Sequence, residues 1–432
     1  MSRFCVIGLG RSGRSAAALL ARLGHDVVAV DAGDVDDPAL RAAGVDIRAR
    51  HAGAVPGVDV VVKSPGVPRD EPALAAALAS GTPVWSEVEL AARHLPNPLI
   101  AITGTNGKTT TTELTAYVLA SAGVPAVACG NQGLPVCDLV GAADPAAWLV
   151  IECSSFQLED VDAFHPRAAA VLNITPDHLD RHGTMDAYRD AKLRVFENLA
   201  EADLAIAPAG VRIPGRAPHR VVGDAPGPDA AAWADGGLHV AGLGRVCGWE
   251  DVPLRGRHNR ENVMVAAALA AHAGLGARAV ASGLTSFAGV PHRLEVVHER
   301  GGVRYVNDSK ATNPDAAVAA LDAYPERVHL IAGGKGKGTS FAPMAEAARE
   351  GVVRCYVIGD TAEQVAAAME AEGVPVSRSG TLLEAVSDAA RRAVPGDAVL
   401  LAPGCASFDQ FTSFEHRGDE FRRIVEEVVG TV

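Results

Sequence analysis

The chain has 432 residues, 48% of them hydrophobic and 21% charged, which is enough for two to four domains that each bury a core. A formal charge of −13 argues against the net basic surface of a nucleic-acid binder, although a few placed cations and backbone N–H groups still admit phosphate ligands. Seven singly spaced cysteines, with no C-x-x-C pair, suit a reducing cytosol and neither a disulfide framework nor a zinc knuckle.

Short apolar runs alternate with Ala- and Leu-rich helical stretches along the chain, the pattern of α/β units on parallel sheets. The first block, residues 1–95, has predicted strands at 4–7, 27–30, 58–62 and 84–85. The first strand leads into GLGRSG (8–13), which contains Gly10 and Ser12 and opens a helix, and Asp31 ends the next strand. Such a loop is a dinucleotide fingerprint and would serve NAD or another diphosphate. Arg11 and Arg14 interrupt the first apolar run, so no targeting segment is expected. HLPNP (94–98) reads as a linker.

The second block, 96–289, opens with a strand at 99–103 followed by GTNGKTT, that is Gly104, Thr105, Asn106, Gly107, Lys108, Thr109 and Thr110. Glycines there turn backbone N–H groups toward phosphates, Lys108 can neutralise phosphate oxygens and Thr109 can ligate Mg²⁺. Ile102 stands where the general P-loop pattern has glycine. Strands at 148–152 and 168–173 end in polar residues, as at the active edge of a parallel sheet. Glu152, in VIECSSFQLE, is either a metal ligand or a solvated strand-end acid. His178, in NITPDHLDRHG, has a surface position as its plainer reading, and Lys192 reads as a solvated helix residue. Asn259 and Asn262 share a helix face, where they either read a purine edge or cap. The stretch 207–237 reads as surface turns and short antiparallel strands, and the Ala-rich run 263–276 is too short to span a bilayer.

The third block, 290–432, has predicted strands at 303–307, 328–333, 355–358 and 398–402. PHR (291–293), NDSKATNPDA (307–316), GGKGKG (333–338) and APGCASFDQF (402–411) fall at strand ends or at the domain entry and converge on one rim. Three α/β domains in series is the simplest architecture.

GTNGKTT, ECSSFQLE, NITPDHLDRHG, YRDAK, GRHNRENV, PHRLE, NDSKATNP, GGKGKG and CASFDQFTSFEHRGDEF, in this order, resemble the Mur ligases of peptidoglycan synthesis. The match covers essentially the whole chain and is nearest to members that add D-glutamate to UDP-N-acetylmuramoyl-L-alanine. The resemblance implies an N-terminal Rossmann-like domain binding UDP, a central P-loop ATPase-like domain and a Rossmann-like C-terminal domain binding the incoming D-glutamate. It also implies ATP-dependent amide formation through an acyl phosphate.

Carried over position by position, Gly104 to Thr110 would cradle ATP, joined by Asn262, Arg293 and Asp308. Thr109, Glu152, His178 and a carbamylated Lys192 would hold two Mg²⁺ ions. Gly10, Ser12, Asp31, Gly66, Asn131, Ser154 and His178 would take the sugar-nucleotide substrate. Thr312, Lys337, Ser407 and Phe414, with Lys310 as a catalytic cation, would surround D-glutamate or the reacting acyl phosphate. The resemblance implies catalytic roles for Lys108, Glu152, His178, Lys192 and Lys310. Asp31 is followed by Ala32 and Gly33 where well-studied relatives carry a hydroxyl and an arginine, which leaves the uracil contacts open. A cytoplasmic monomer with no nucleic-acid partner and no membrane insertion is expected. The competing readings are another amino-acid ligase of the superfamily, an NAD-dependent dehydrogenase and a non-enzymatic nucleotide switch.

Overall fold

The computed structural model describes residues 2–51, 53–55, 57–224, 230–324, 326–336 and 338–430. The chain forms two compact units, one of residues up to 252 together with 261–287, the other of 253–260 together with 288 onward. Among the described residues no helix is long and apolar enough to cross a membrane.

The first unit holds the first predicted block and most of the second, whose residues 253–260 and 288–289 fall in the second unit. A parallel five-stranded sheet runs in the order Asp46–Arg48, Asp26–Val30, Arg3–Ile7, Val60–Lys63, Val84–Ser86. Its central strands are continuous apolar runs because both faces are covered, as parallel sheets require. Strand order reverses beside Arg3–Ile7, so the GLGRSG turn lies at a topological switch point, where such sheets bind ligands.

A second parallel sheet follows the order His219–Arg220, Leu204–Ile206, Ala168–Val171, Leu99–Thr103, Trp148–Glu152, Ala126–Gly130. The strands Leu99–Thr103 and Trp148–Glu152 coincide with their predicted bounds. Val6, Leu20 and Val88 from the first sheet's layers share one apolar core with Leu149, Phe164 and Phe196 from the second. Glu89, fully buried, reinforces that joint by accepting N–H bonds from Asp162, Ala163 and Phe164. The expected turns and antiparallel strands at 207–237 contain part of a small four-stranded sheet, in which Ala231–Ala234 and Gly237–Val240 form an antiparallel hairpin. Val222–Gly223 joins that hairpin in parallel, a pairing the local sequence does not signal.

The second unit is built on the order Glu295–Arg300, Val303–Asn307, Ala398–Leu401, Val328–Gly333, Val352–Ile358, Val376–Gly380. The first pair is antiparallel and the rest parallel. Because Val303–Asn307, Ala398–Leu401 and Val328–Gly333 are neighbours, the loops after them open on one edge, as the sequence pattern anticipated.

Candidate active site

The strand Leu99–Thr103 ends at Gly104, and the helix Lys108–Ser121 begins after Gly107, whose φ of +85° is left-handed backbone that favours glycine. A Cβ on Gly107 would stand 2.4 Å from Asn262 Oδ1, so this glycine is also what lets Asn262 approach the loop. Asn173 braces the loop from the neighbouring strand end. Its Oδ1 accepts from the Asn106 N–H at 2.9 Å and its Nδ2 donates to the Asn106 carbonyl at 3.1 Å. The Lys108 ammonium donates to the carbonyls of Gly104 at 2.9 Å and Thr105 at 2.8 Å, and Lys192 Nζ donates to the same Gly104 carbonyl at 2.8 Å. Thr110 is buried in the first turn of the helix.

Lys192 is therefore not a solvated helix residue. It is 1% exposed and lies against the Tyr188 ring at 4.5 Å. Burial, and then the positive charge of Lys108, push its pKa well below the ordinary lysine value, which favours the neutral amine. Helical periodicity hides this, because a single lysine on a mixed helix reads as surface.

Glu152 is 2% exposed and is the focus of two partners. Thr109 Oγ1 donates to its Oε2 at 2.6 Å and Asn131 Nδ2 donates to its Oε1 at 2.9 Å. A buried carboxylate held by a hydroxyl and an amide, rather than by a paired cation, is suited to take part in a cation site. His178 opens the turn Leu179–His182 with a φ of +52°, an uncommon conformation for a residue with a side chain. Its backbone N–H donates to Asp177 Oδ1 at 2.9 Å, and its ring meets the Phe156 ring edge-on at 5.0 Å. Among the described residues no three His, Cys, Asp or Glu side chains gather as a metal cluster. The Ser154 hydroxyl is taken up locally, in a capping box with Gln157 at the start of Ser155–Leu158.

At the switch point of the first sheet the three glycines of GLGRSG do different work. A Cβ on Gly13 would lie 1.8 Å from the Gly8 carbonyl, so the helix packs on the strand only with glycine there. Gly8 has a φ of +86°, whereas a Cβ on Gly10 would meet open space at the helix N-terminus, where an anion is favoured. Ser12 is half-buried in the first helical turn. Asp31 accepts from the Leu9 N–H at 2.6 Å and the Gly33 N–H at 2.8 Å, so its carboxylate shapes the glycine loop itself. Arg11 donates to the Gly133 carbonyl, in the GNQG segment that carries Asn131. Gly66 is exposed, and its carbonyl accepts from Arg181.

In the second unit the four predicted loops meet. Asn307 Nδ2 contacts His292 Nδ1 at 3.1 Å, and the Lys310 N–H donates to the His292 carbonyl at 3.1 Å. The turn carrying Arg293 contains two positive-φ residues with side chains, His292 and Leu294. Asp308 is 1% exposed and pairs with Arg293 at 3.4 Å, and burial raises its carboxyl above the usual range. Lys310 Nζ lies 4.7 Å from the Phe414 ring centroid, and Ser407 is buried. The Thr312 N–H donates to the Lys310 carbonyl at 2.9 Å, closing a tight turn. Lys335 exchanges backbone hydrogen bonds with Ala406, pinning the GGKGKG loop to the loop after Ala398–Leu401. Lys337 lies outside the described residues.

The residue that sequence reasoning missed here is Arg417. It is 1% exposed and donates to Ser309 Oγ (2.9 Å) and to the carbonyls of Ser309 (2.8 Å), Cys405 (3.1 Å) and Ala406 (3.3 Å). One guanidinium thus joins the Ser309–Thr312 loop to the Cys405–Ser407 loop. The available signal was its helical spacing, since Phe414 and Phe421 put position 417 on the apolar stripe.

Two family descriptions match this chain, the Mur ligase middle domain over residues 102–221 and the Mur ligase glutamate ligase domain over 292–405. The chain is 45% identical to the UDP-N-acetylmuramoylalanine--D-glutamate ligase of Myxococcus xanthus, covering 98% of this chain and 97% of that one. It is 43% identical to the protein of the same name from Pelotomaculum thermopropionicum, covering 97% and 96%. Among solved structures it is similar to UDP-N-acetylmuramate-alanine ligase of Thermotoga maritima, with a TM-score of 0.61 at 19% identity over all of both chains. It is also similar to MurF ligase of Thermotoga maritima in complex with ADP, with a TM-score of 0.61 at 17% identity over 87% of this chain and 90% of that one. At those identities the two structures speak to the fold.

Proposed function

The chain belongs to the Mur ligase family, and from that premise we propose that it joins D-glutamate to UDP-N-acetylmuramoyl-L-alanine at the expense of ATP. The reaction is an acid–amino acid ligation in peptidoglycan precursor synthesis. An oxygen of the alanyl carboxylate attacks the γ-phosphorus, the bond from that phosphorus to the bridging oxygen breaks and ADP leaves with the electron pair. The D-glutamate amine then attacks the acyl-phosphate carbonyl and loses a proton, and inorganic phosphate departs as the amide forms.

What supports this reading most is the convergence at Gly104 and Glu152. Lys108 and Lys192 meet on one loop carbonyl, while Thr109 and Asn131 meet on one buried carboxylate. Two anions must approach each other in the first step, and the Lys108 ammonium, placed beforehand, offsets their repulsion and the charge on the transferring phosphoryl group. In this reading Gly104 to Thr110 and Asn262 hold the ATP phosphates and nucleoside, and in the second unit Arg293 and Asp308 are the residues assigned to ATP. Thr109, Glu152, His178 and Lys192 would hold Mg²⁺, which when bound supplies Lewis-acid stabilisation of the phosphoryl oxygens. The residues fit: Glu152 is buried without a cationic partner in its hydrogen bonds, and Lys192 is held toward its neutral form. A neutral amine adds CO₂ to give a carbamate and a proton, which converts Lys192 from a neutral amine to an anionic ligand.

GLGRSG serves as the cradle of the UDP diphosphate, with Gly66, Ser12 and Asp31 around the nucleotide and Asn131 and Ser154 toward the muramoyl part. Asp31 acts through the loop it shapes. Lys310, Thr312, Lys337, Ser407 and Phe414 take D-glutamate. We divide the chain functionally into a UDP domain at 1–95, an ATP domain at 96–289 and a D-glutamate domain at 290–432, working as a cytoplasmic monomer. The test is phosphate release from ATP with UDP-N-acetylmuramoyl-L-alanine and, in turn, D-glutamate, L-glutamate, L-lysine or no amino acid. Release that needs D-glutamate supports the reading, and release indifferent to it refutes it.

A further inference from the structure

His178 opens a single helical turn, and the side chains of Arg181 and His182 at the end of that turn are anchored in different places. Arg181 donates to the carbonyls of Gly66 at 3.3 Å and Pro65 at 3.5 Å, and also to that of Val67. The His182 side chain is 2% exposed, with Nδ1 3.3 Å from Glu159 Oε1 and Nε2 3.0 Å from Ser155 Oγ. Phe156 occupies the space between them. Its ring is parallel to the His182 ring within 7° at 5.2 Å, carries the Arg181 guanidinium at 4.7 Å and presses edge-on against His178 at 5.0 Å.

The loop that Arg181 grips is itself fastened to the first glycine loop. Ser64 Oγ donates to the Gly8 carbonyl at 2.7 Å, and Val67 packs so close to Gly8 that a Cβ there would fall 2.6 Å from its Cγ2. An unbroken set of contacts therefore runs from GLGRSG through Ser64–Val67 to Arg181, then through Phe156 to the His178 ring. His178 needs such a frame, because its left-handed backbone is intrinsically unfavourable and persists only where the surroundings hold it. A guanidinium suits the grip, since its planar fork can serve three adjacent carbonyls and a single ammonium cannot reproduce that geometry.

We propose that Arg181 is a positioning residue that couples occupancy of the sugar-nucleotide loop to the orientation of His178 through Phe156. This rests on the reading of GLGRSG as the UDP cradle. The coupling makes phosphoryl transfer depend on the sugar nucleotide being seated, which limits idle ATP hydrolysis.

The test compares the parent enzyme with Arg181→Ala and Arg181→Lys by steady-state kinetics and by amide hydrogen exchange. Arg181→Ala is expected to raise KM for UDP-N-acetylmuramoyl-L-alanine and lower kcat, together about tenfold or more in kcat/KM, as for partners that orient a ligand from behind. KM for ATP and D-glutamate should stay near the parent values, and Arg181→Lys should fall between. In the parent, UDP-N-acetylmuramoyl-L-alanine should slow exchange across residues 177–183; in Arg181→Ala that slowing should vanish while residues 8–13 still respond. Slowing across 177–183 that survives in Arg181→Ala would overturn the proposal, as would a parallel rise of all three KM values. Exchange coupling in a parent that never forms product would leave the proposal standing and refute the ligase reading instead.

Discussion

Replacing Arg417 by alanine removes the donor to the carbonyls of Ser309 and Cys405, while the Ala406 carbonyl keeps the Lys335 N–H at 2.8 Å. A buried acceptor left without its donor costs about 1–3 kcal/mol, and water entering the vacated volume recovers part of that for each carbonyl. Taking the low end for two carbonyls gives about 2 kcal/mol, and in a domain of this size that is a fall in Tm of roughly 4–8 °C. Arg417 remains charged throughout the assay range, because burial lowers its pKa only to about 10. Arg417→Lys keeps the charge without the fork and should lose about half as much. The two loops it joins carry Lys310, Thr312 and Ser407, so KM for D-glutamate should rise with the loss of stability. The checks are thermal unfolding, amide exchange at 309–312 and 405–407, and KM for each substrate. A Tm within about 2 °C of the parent together with an unchanged KM for D-glutamate would show that Arg417 does not hold these loops.

Gly13→Ala places a Cβ 1.8 Å from the Gly8 carbonyl and 2.5 Å from Ser64 Oγ, so the helix must move off the strand. Sugar-nucleotide affinity, read by calorimetry with UDP-N-acetylmuramoyl-L-alanine, should fall sharply while ATP affinity holds. Burial raises the Glu87 carboxyl from 4.5 to about 7, so the folded state keeps a proton that the unfolded state has lost between those values. Stability should therefore decline as pH rises through that window and level off above it, by roughly 3 kcal/mol at most from this group. Glu87→Gln should flatten that profile and be the more stable protein at pH 8, as measured by urea unfolding at pH 5 and 8. Lys192→Ala should lose most activity and regain part of it in acetate or another small carboxylate, which stands in for the anionic ligand. Full activity without such a rescue would mean that the carbamate plays no part.

The elements with the plainest sequence signature are the interior parallel strands. Leu99–Thr103 and Trp148–Glu152 are apolar up to their last residue, Val303–Asn307 and Val328–Gly333 are largely apolar around Arg304 and His329, and the structure keeps the predicted bounds of all four. Asp46–Arg48, Glu295–Arg300 and Val376–Gly380 were not anticipated, since edge strands expose one side and read as loop. The glycine loops were legible because their residue types have few other uses at strand ends, whereas Glu152 alone read also as a solvated strand-end acid and was joined to Thr109 only by the family resemblance. Lys192, Arg417 and Lys63 were not legible. Each is a cation on an element of otherwise ordinary pattern, and only tertiary contacts bury it, with Lys63 held by Glu159 at 3.2 Å and Asp160 at 2.7 Å. Arg181 likewise gains its meaning only from the Pro65–Val67 carbonyls, far away in sequence.

The most direct test of the ligase reading follows the oxygen that the acyl phosphate must carry. UDP-N-acetylmuramoyl-L-alanine labelled with oxygen-18 in its alanyl carboxylate is incubated with ATP, Mg²⁺ and D-glutamate, and the products are weighed by mass spectrometry. The expected products are a sugar nucleotide heavier by one glutamyl unit and inorganic phosphate carrying a single oxygen-18 derived from the carboxylate. Unlabelled phosphate, or label and product that form equally well with L-glutamate, would contradict the ligase reading.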